Sequence, residues 1–164
     1  MSTSPAKTTG TEVFQGKQPL DAAALANSKF TPTYPLAFTG PVVATATWSP
    51  PGGNATKITT TFHTTAGNLV VAADVPNVNN PPTTTDPTTC LSKSTITGTY
   101  TVVGDQSTGK FKDATGSGKI TDVFQATLPK LSNGKCNESQ NAVPLPNGAV
   151  TTFYASGPLT VTSS

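Results

Sequence analysis

The chain has 164 residues, enough for one sizeable hydrophobic core, and its composition excludes several classes of protein. Hydrophobic residues make up 34% of it and charged residues 11%, with a net charge of +2, so neither self-repulsion nor a shortage of apolar groups opposes folding. All ten basic residues are lysines, and because arginine is the side chain best suited to phosphates and to stacking on bases, we expect no nucleic-acid partner.

The amino-terminal part of the chain is predicted to be a flexible segment over residues 1–18, followed by a single domain over 19–164. It lacks the charged-then-apolar profile of a secretory signal. We expect that a signal has been removed, and the alternative is a protein that is made and kept inside the cell. No stretch approaches the roughly 20 apolar residues of a membrane span, so none is predicted. The domain begins with a short predicted helix from Pro19 to Asn27, because proline lies near its start and asparagine near its end.

From Leu36 onward, the pattern changes to that of an all-β protein. Runs of β-branched and aromatic residues alternate with Gly, Pro and Asn. The predicted strands are 36–48, 57–65, 68–75, 94–103, 117–128 and 149–162. Because proline is poorly tolerated within a central strand, Gly157-Pro158 can break the last of them into two. Two long Pro- and Asn-rich exposed loops are predicted over 75–89 and 129–147.

The two cysteines are predicted to form a disulfide that ties the end of the first loop to the second. Pairing Cys90 with Cys136 closes a loop long enough to stabilise the fold by roughly 4 kcal/mol in the chain-entropy model. The alternative is two free thiols. A single histidine and the absence of a C-x-x-C motif predict no metal site, and no cofactor motif is present. The Thr, Ser, Asn and Pro content and the even cysteine count are typical of an extracellular product.

Alternation along the strands sorts side chains into inward and outward faces. Ile96, Gly98, Tyr100 and Val102 share one face of their strand, and the threonines between them share the other, which we expect to meet solvent. In the strand 57–65, His63 falls on a polar threonine row. We interpret it as a lone surface histidine rather than a general base.

The strand 117–128 places one carboxylate in an apolar row, because Asp122 alternates with Ile120 and Phe124. A buried unpaired charge is costly, so an inward Asp122 needs hydrogen bonds, a proton or a function. Tyr100 and Trp48 lie on the apolar faces of their own strands and are its expected partners. The competing interpretation, which we prefer, is a β-bulge or strand end that turns Asp122 toward solvent.

The run from Thr97 to Gly104, followed by Ser107 to Gly118, resembles a hairpin of allene oxide cyclase-like and dirigent-like barrels. It is also similar to many uncharacterised secreted bacterial β-proteins. The resemblance implies a single antiparallel β-barrel of about eight strands with a central cavity, in families that steer cyclisation or radical coupling of hydrophobic small molecules. Phe111 is expected to close one end of the barrel. The chain departs from the dirigent pattern because it has no arginine and one candidate interior aspartate.

Three functions follow as hypotheses. The preferred one is a non-catalytic binding module that holds a small apolar molecule or a glycan in a barrel mouth lined by Trp48, Phe62, Tyr100, Asp122 and Phe124. The second is a surface protein that assembles into homo-oligomers through its sheet edges. The third is an isomerase or cyclase with Asp122 as acid or base and Tyr100 as its partner. Two N-glycosylation patterns begin at Asn54 and Asn137.

Overall fold

A computed structural model of the chain describes residues 3–20, 33–51, 53–139, 142–146 and 148–163. In these residues the secondary structure consists of nine strands and two short 3-10 helices. The helices, Gly104–Gln106 and Gly109–Phe111, both lie between the seventh and eighth strands. The strands are β1 (Lys7–Leu20), β2 (Tyr34–Thr39), β3 (Ala44–Trp48), β4 (Lys57–Thr64), β5 (Gly67–Asp74), β6 (Thr83–Thr85), β7 (Leu91–Val102), β8 (Thr115–Thr127) and β9 (Ala149–Thr162).

Eight of the described strands close into an antiparallel barrel. Their order is β5-β4-β3-β2-β1-β9-β8-β7, and β5 pairs back with β7. The closing ladder matches Val71 with Val102 and Asp74 with Thr99. The short strand β6 is an addition that pairs with the outer part of β7, where Thr84 lies opposite Lys93. The prediction of an all-β barrel with about eight strands is therefore confirmed.

The barrel interior is built from the alternating inward residues of its strands. In β2 and β3 every second side chain is buried and the others are exposed, as period-two alternation requires. Phe14 lies at the centre of the core and packs its ring on those of Phe38, Phe62 and Tyr100, with centroids 5.0 to 5.2 Å apart. These stacked and edge-on pairs are the arrangements that aromatic rings prefer.

The amino-terminal segment differs from the prediction. Residues 7–18 belong to β1, which pairs along its whole length with β9, rather than to a flexible segment. The inward positions of this strand include Glu12, Gly16 and Gln18. Its sequence therefore lacks the alternation of apolar and polar residues by which a strand is predicted. Of the predicted helix Pro19 to Asn27, the first two residues end β1, and the others lie outside the described residues.

Three further predictions about the strands need correction. The segment 36–48 is a hairpin of β2 and β3 rather than one strand, because the chain turns at Gly40, which has a positive φ of 137°. The loop 75–89 contains the short strand β6. Finally, β9 continues through Gly157 and Pro158 without a break, with Pro158 paired to Thr11 of β1.

One end of the barrel is closed by the connection between β7 and β8. Phe111, in the second 3-10 helix, is completely buried and lies edge-on to Phe38 at 6.2 Å.

Glu12 is buried at the same end, only 1% exposed, where its Oε2 accepts a hydrogen bond from the backbone N–H of Val42 at 2.9 Å. Its Oε1 has no partner among the described residues. Burial raises the pKa of Glu12 from its ordinary 4.5 to about 7, with the Val42 hydrogen bond opposing the shift.

Glu12 makes the stability of the barrel depend on pH. Because the folded protein binds this proton more tightly than the unfolded chain does, Glu12 favours folding fully below about pH 4.5, and this contribution is lost as the pH rises to about 7. From the size of the shift, we expect Glu12→Gln to remove about 3 kcal/mol of the stability difference between pH 4 and pH 8. Urea denaturation across this range measures the difference. Glu138→Gln, at an exposed position, is the control, and equal pH profiles for both variants would contradict the assignment.

Cys90 and Cys136 form a disulfide, as predicted. Cys90 is buried and lies immediately before β7, and Cys136 lies in the connection between β8 and β9. The bond therefore anchors that connection to the sheet.

Replacing both cysteines by alanine is expected to lower the free energy of unfolding by about 4 kcal/mol, because the unfolded chain regains the entropy of the 46-residue loop. Urea denaturation of the oxidised protein and the double variant measures this loss. A reducing agent serves as the control, since it lowers the midpoint of the parent protein alone. Equal midpoints for the oxidised protein and the variant would contradict the expectation.

Candidate ligand-binding cavity

A cavity of about 170 Å³ lies in the barrel at the end opposite Phe111. The loop between β3 and β4 contributes Pro50 and Pro51 to its wall, and the loop between β5 and β6 contributes Val78. The remaining lining is mostly apolar and comes from the inward faces of the strands: Phe14, Trp48, Ile58, Phe62, Val71, Ala73, Ile96, Tyr100, Ile120 and Phe153. The cavity is thus a continuation of the hydrophobic core that side chains leave unfilled.

Trp48 is held in the cavity wall by both packing and a hydrogen bond. Its ring lies 4.9 Å from that of Phe62 and 5.0 Å from that of Phe153, measured between centroids. The indole N–H donates to the Thr60 hydroxyl at 2.9 Å. This bond joins β3 to β4, two strands whose described ladder has the single register pair Ala46 and Thr64. The indole is therefore fixed on the seam where few backbone hydrogen bonds hold the barrel together.

Tyr100 lies flat over a glycine of the neighbouring strand. Gly118 of β8 is its register partner, and a Cβ on Gly118 would lie 2.6 Å from both Cε1 and the hydroxyl oxygen of Tyr100. A side chain at position 118 would therefore displace the phenol ring. Gly118 therefore provides the space in which the ring lies.

Asp122 points into the barrel and lines the cavity. The preferred prediction, a bulge or strand end that turns it outward, is wrong, because β8 pairs regularly on both sides of it with Ile96 of β7 and Phe153 of β9. Its partners also differ from the expected Tyr100 and Trp48. The Tyr34 hydroxyl donates to Oδ2 at 3.0 Å, and the Thr151 hydroxyl donates to Oδ1 at 2.9 Å.

These three side chains form a polar cluster within an apolar barrel. The hydroxyl oxygens of Tyr34 and Thr151 also lie 2.6 Å from each other, and both residues are buried. Burial raises the pKa of Asp122, and the hydrogen bonds from Thr151 and Tyr34 oppose this shift. Burial, followed by the nearby charge of Asp122, raises the pKa of the Tyr34 phenol well above its usual range. Tyr34 is therefore a hydrogen-bond donor and not a base.

The predicted binding residues are largely brought together. Trp48, Phe62, Tyr100 and Asp122 all line the cavity. Phe124 does not, because it packs on a second, smaller apolar cluster formed by Leu20, Ala126 and Ala149. This cluster lies farther along the long strands β1, β8 and β9.

Sequence reasoning missed several residues of the site, among them Phe14, Tyr34 and Phe153. Phe14 lies in the segment predicted to be flexible, and Tyr34 lies two residues before the predicted start of its strand. Phe153 belongs to a predicted strand, but its inward face was not assigned. For Phe153 the sequence did carry a signal. Thr151, Phe153 and Ala155 lie two positions apart and therefore share one face of the strand, and the structure buries all three.

His63 lies outside the cavity. It is exposed, with Nδ1 3.0 Å from the Asn68 Oδ1, so its interpretation as a surface histidine is confirmed.

Within the described ranges, no group of three or more His, Cys, Asp or Glu side chains is arranged to hold a metal ion. No helix in the same part of the chain has the length and apolar character needed to cross a membrane.

Tyr34→Phe tests the polar cluster. The variant removes the hydrogen bond from Tyr34 to Asp122 and the close contact of its hydroxyl with that of Thr151. We expect it to lower the free energy of unfolding at pH 7 by about 1 to 3 kcal/mol. It also raises the pKa of Asp122 further, because a donor to the charged form is lost. Tyr154→Phe is the matched control on β9, since its side chain is 43% exposed. Urea denaturation compares the two variants, and equal losses would contradict the role of the Tyr34 hydroxyl.

Comparison of the chain with protein-family models, with curated proteins and with solved structures finds no match in any of the three. Any functional conclusion therefore depends on the chemistry of the cavity.

Proposed function

We propose that this protein is a secreted, non-catalytic binding protein that holds a small apolar molecule in the barrel cavity. The observation that supports the proposal is the cavity itself, about 170 Å³ in volume with a lining of aromatic and aliphatic side chains. An apolar cavity of about 150 Å³ in another protein stays dry and binds benzene, so this one has the volume for an occupant of similar size. Protein interiors are close-packed, and voids of this size are few in a domain.

The size and lining favour a small apolar molecule over a glycan. Pockets for drug-sized ligands span about 300 to 1,000 Å³, which exceeds the volume available here. A sugar also requires several hydrogen-bonding groups around its hydroxyls. Apart from Trp48, the polar side chains of the described lining are Thr60, Tyr100 and Asp122, and Thr60 already accepts from Trp48. These are too few to surround the hydroxyls of a sugar.

The disulfide supports the secreted part of the proposal. Disulfides form and persist mainly in oxidising compartments outside the cytosol. The resemblance of residues 97–118 to allene oxide cyclase-like and dirigent-like barrels favours the same class of hydrophobic small molecule.

The two alternative functions have less support. Assembly by strand addition needs a free sheet edge, and the terminal strand of the described sheet, β6, has only three residues. Catalysis needs an acid and base in contact with the reacting atoms. The titratable groups in the described lining are Asp122 and Tyr100, and these two are not hydrogen-bonded to each other. Burial raises the pKa of Tyr100 to about 12, and the charge of Glu12 adds to this shift.

Benzene is the probe for this proposal, because Trp48 is the single tryptophan of the sequence and lines the cavity. We expect benzene to change the Trp48 fluorescence saturably and to raise the melting temperature. Val78→Phe enlarges a side chain at the cavity wall, and we expect it to weaken benzene binding about tenfold or more, a loss of about 1.4 kcal/mol.

Val43→Phe is the matched control, because Val43 is 74% exposed and lies in the turn between β2 and β3 at the opposite end of the barrel. It is expected to leave benzene binding unchanged. Absence of saturable binding to the parent protein, or equal affinity in both variants, would show that the cavity is not a binding site for apolar molecules.

A further inference from the structure

The described lining of the cavity contains one carboxylate, that of Asp122. Asp122 is half-buried, and among the described residues the one ion pair is that of Lys112 with Asp113 on the surface. No lysine occurs in the described lining of the cavity. Buried charges in proteins are normally paired, and an unpaired one is costly. Asp122 is thus a half-buried acid without a counter-charge among the described residues.

The hydrogen bonds of Asp122 leave part of its capacity free. A carboxylate has about four acceptor positions on its two oxygens. Tyr34 occupies one on Oδ2 and Thr151 one on Oδ1, at 3.0 and 2.9 Å. Both hydroxyls hold the carboxylate in one orientation while acceptor positions stay available for a donor in the cavity.

The rest of the lining is suited to a cation with an apolar body. Trp48, Phe62, Tyr100 and Phe153 line the same cavity as Asp122. The face of an aromatic ring attracts a cation through its quadrupole, and the attraction strengthens where water is excluded. Aliphatic side chains such as Ile58 and Ile120 provide contacts for a hydrocarbon group.

From this arrangement we infer that the cavity binds a small apolar amine, whose ammonium group pairs with Asp122 and whose hydrocarbon part packs on the rings and aliphatic side chains. This inference rests on the proposed binding function and names the chemical class of its ligand. The amine supplies the counter-charge that the described residues lack. An uncharged molecule of the same shape leaves Asp122 unpaired, and charge-assisted hydrogen bonds are about twice as strong as neutral ones.

The test compares three probes of similar size at pH 7: benzylamine, which is protonated, benzyl alcohol and toluene. Isothermal titration calorimetry and Trp48 fluorescence measure their affinities for the full chain. We expect benzylamine to bind about tenfold or more tightly than either neutral probe. We expect Asp122→Asn to remove this preference while toluene still binds, because the variant keeps the shape of the cavity and removes its charge.

Asp105→Asn is the matched control, because Asp105 is exposed in the 3-10 helix at the closed end of the barrel. It should retain the preference for benzylamine. Circular dichroism checks that each variant is folded, and nuclear Overhauser effects between the benzylamine methylene and the Trp48 indole in the parent protein give a readout that needs no variant. Toluene binding without a preference for the amine, or a preference that survives in Asp122→Asn, would overturn the inference but keep the proposed function. Failure of all three probes would overturn both.

Discussion

The pairing of β5 with β7 is the constraint on which the rest of the molecule depends. Without the ladder from Val71 to Asp74, the eight strands would form an open sheet with two long edges. Closure gives every strand an inner face, and all inner faces then share one interior. At the end near Phe111, side chains fill this interior. At the other end they leave a cavity, so the binding function proposed here is a consequence of how unevenly the closed barrel is filled.

Two buried acids mark the two ends and have different surroundings. Glu12 lies at the filled end, where a single backbone N–H bonds one of its oxygens. Asp122 lies at the cavity, held by hydroxyls from β2 and β9. Burial raises the pKa of both. Glu12 is enclosed by protein, which makes it a stability element, whereas Asp122 borders a space that another molecule can enter.

The fold was predictable where strands bury apolar residues in alternation, and the errors occur where they do not. The strands around Ile58, Ile96 and Phe124 have an apolar inward row, so their alternation identified them. In β1 the inward row includes Glu12, and local pattern cannot reveal a strand whose interior side chains are polar or absent. Tyr34 and Thr151 became partners of Asp122 through barrel closure, which brings together residues 88 and 29 positions away in sequence. Such long-range partners leave no signal in a single strand.

The proposed function requires a largely apolar cavity in the barrel at the end opposite Phe111. A crystal of the protein pressurised with xenon tests it most directly, because xenon enters apolar cavities that water avoids. We expect xenon density in contact with Trp48, Phe62 and Ile120, with the surrounding side chains unmoved. Side chains that fill this space, or an absence of xenon from it, would contradict this expectation.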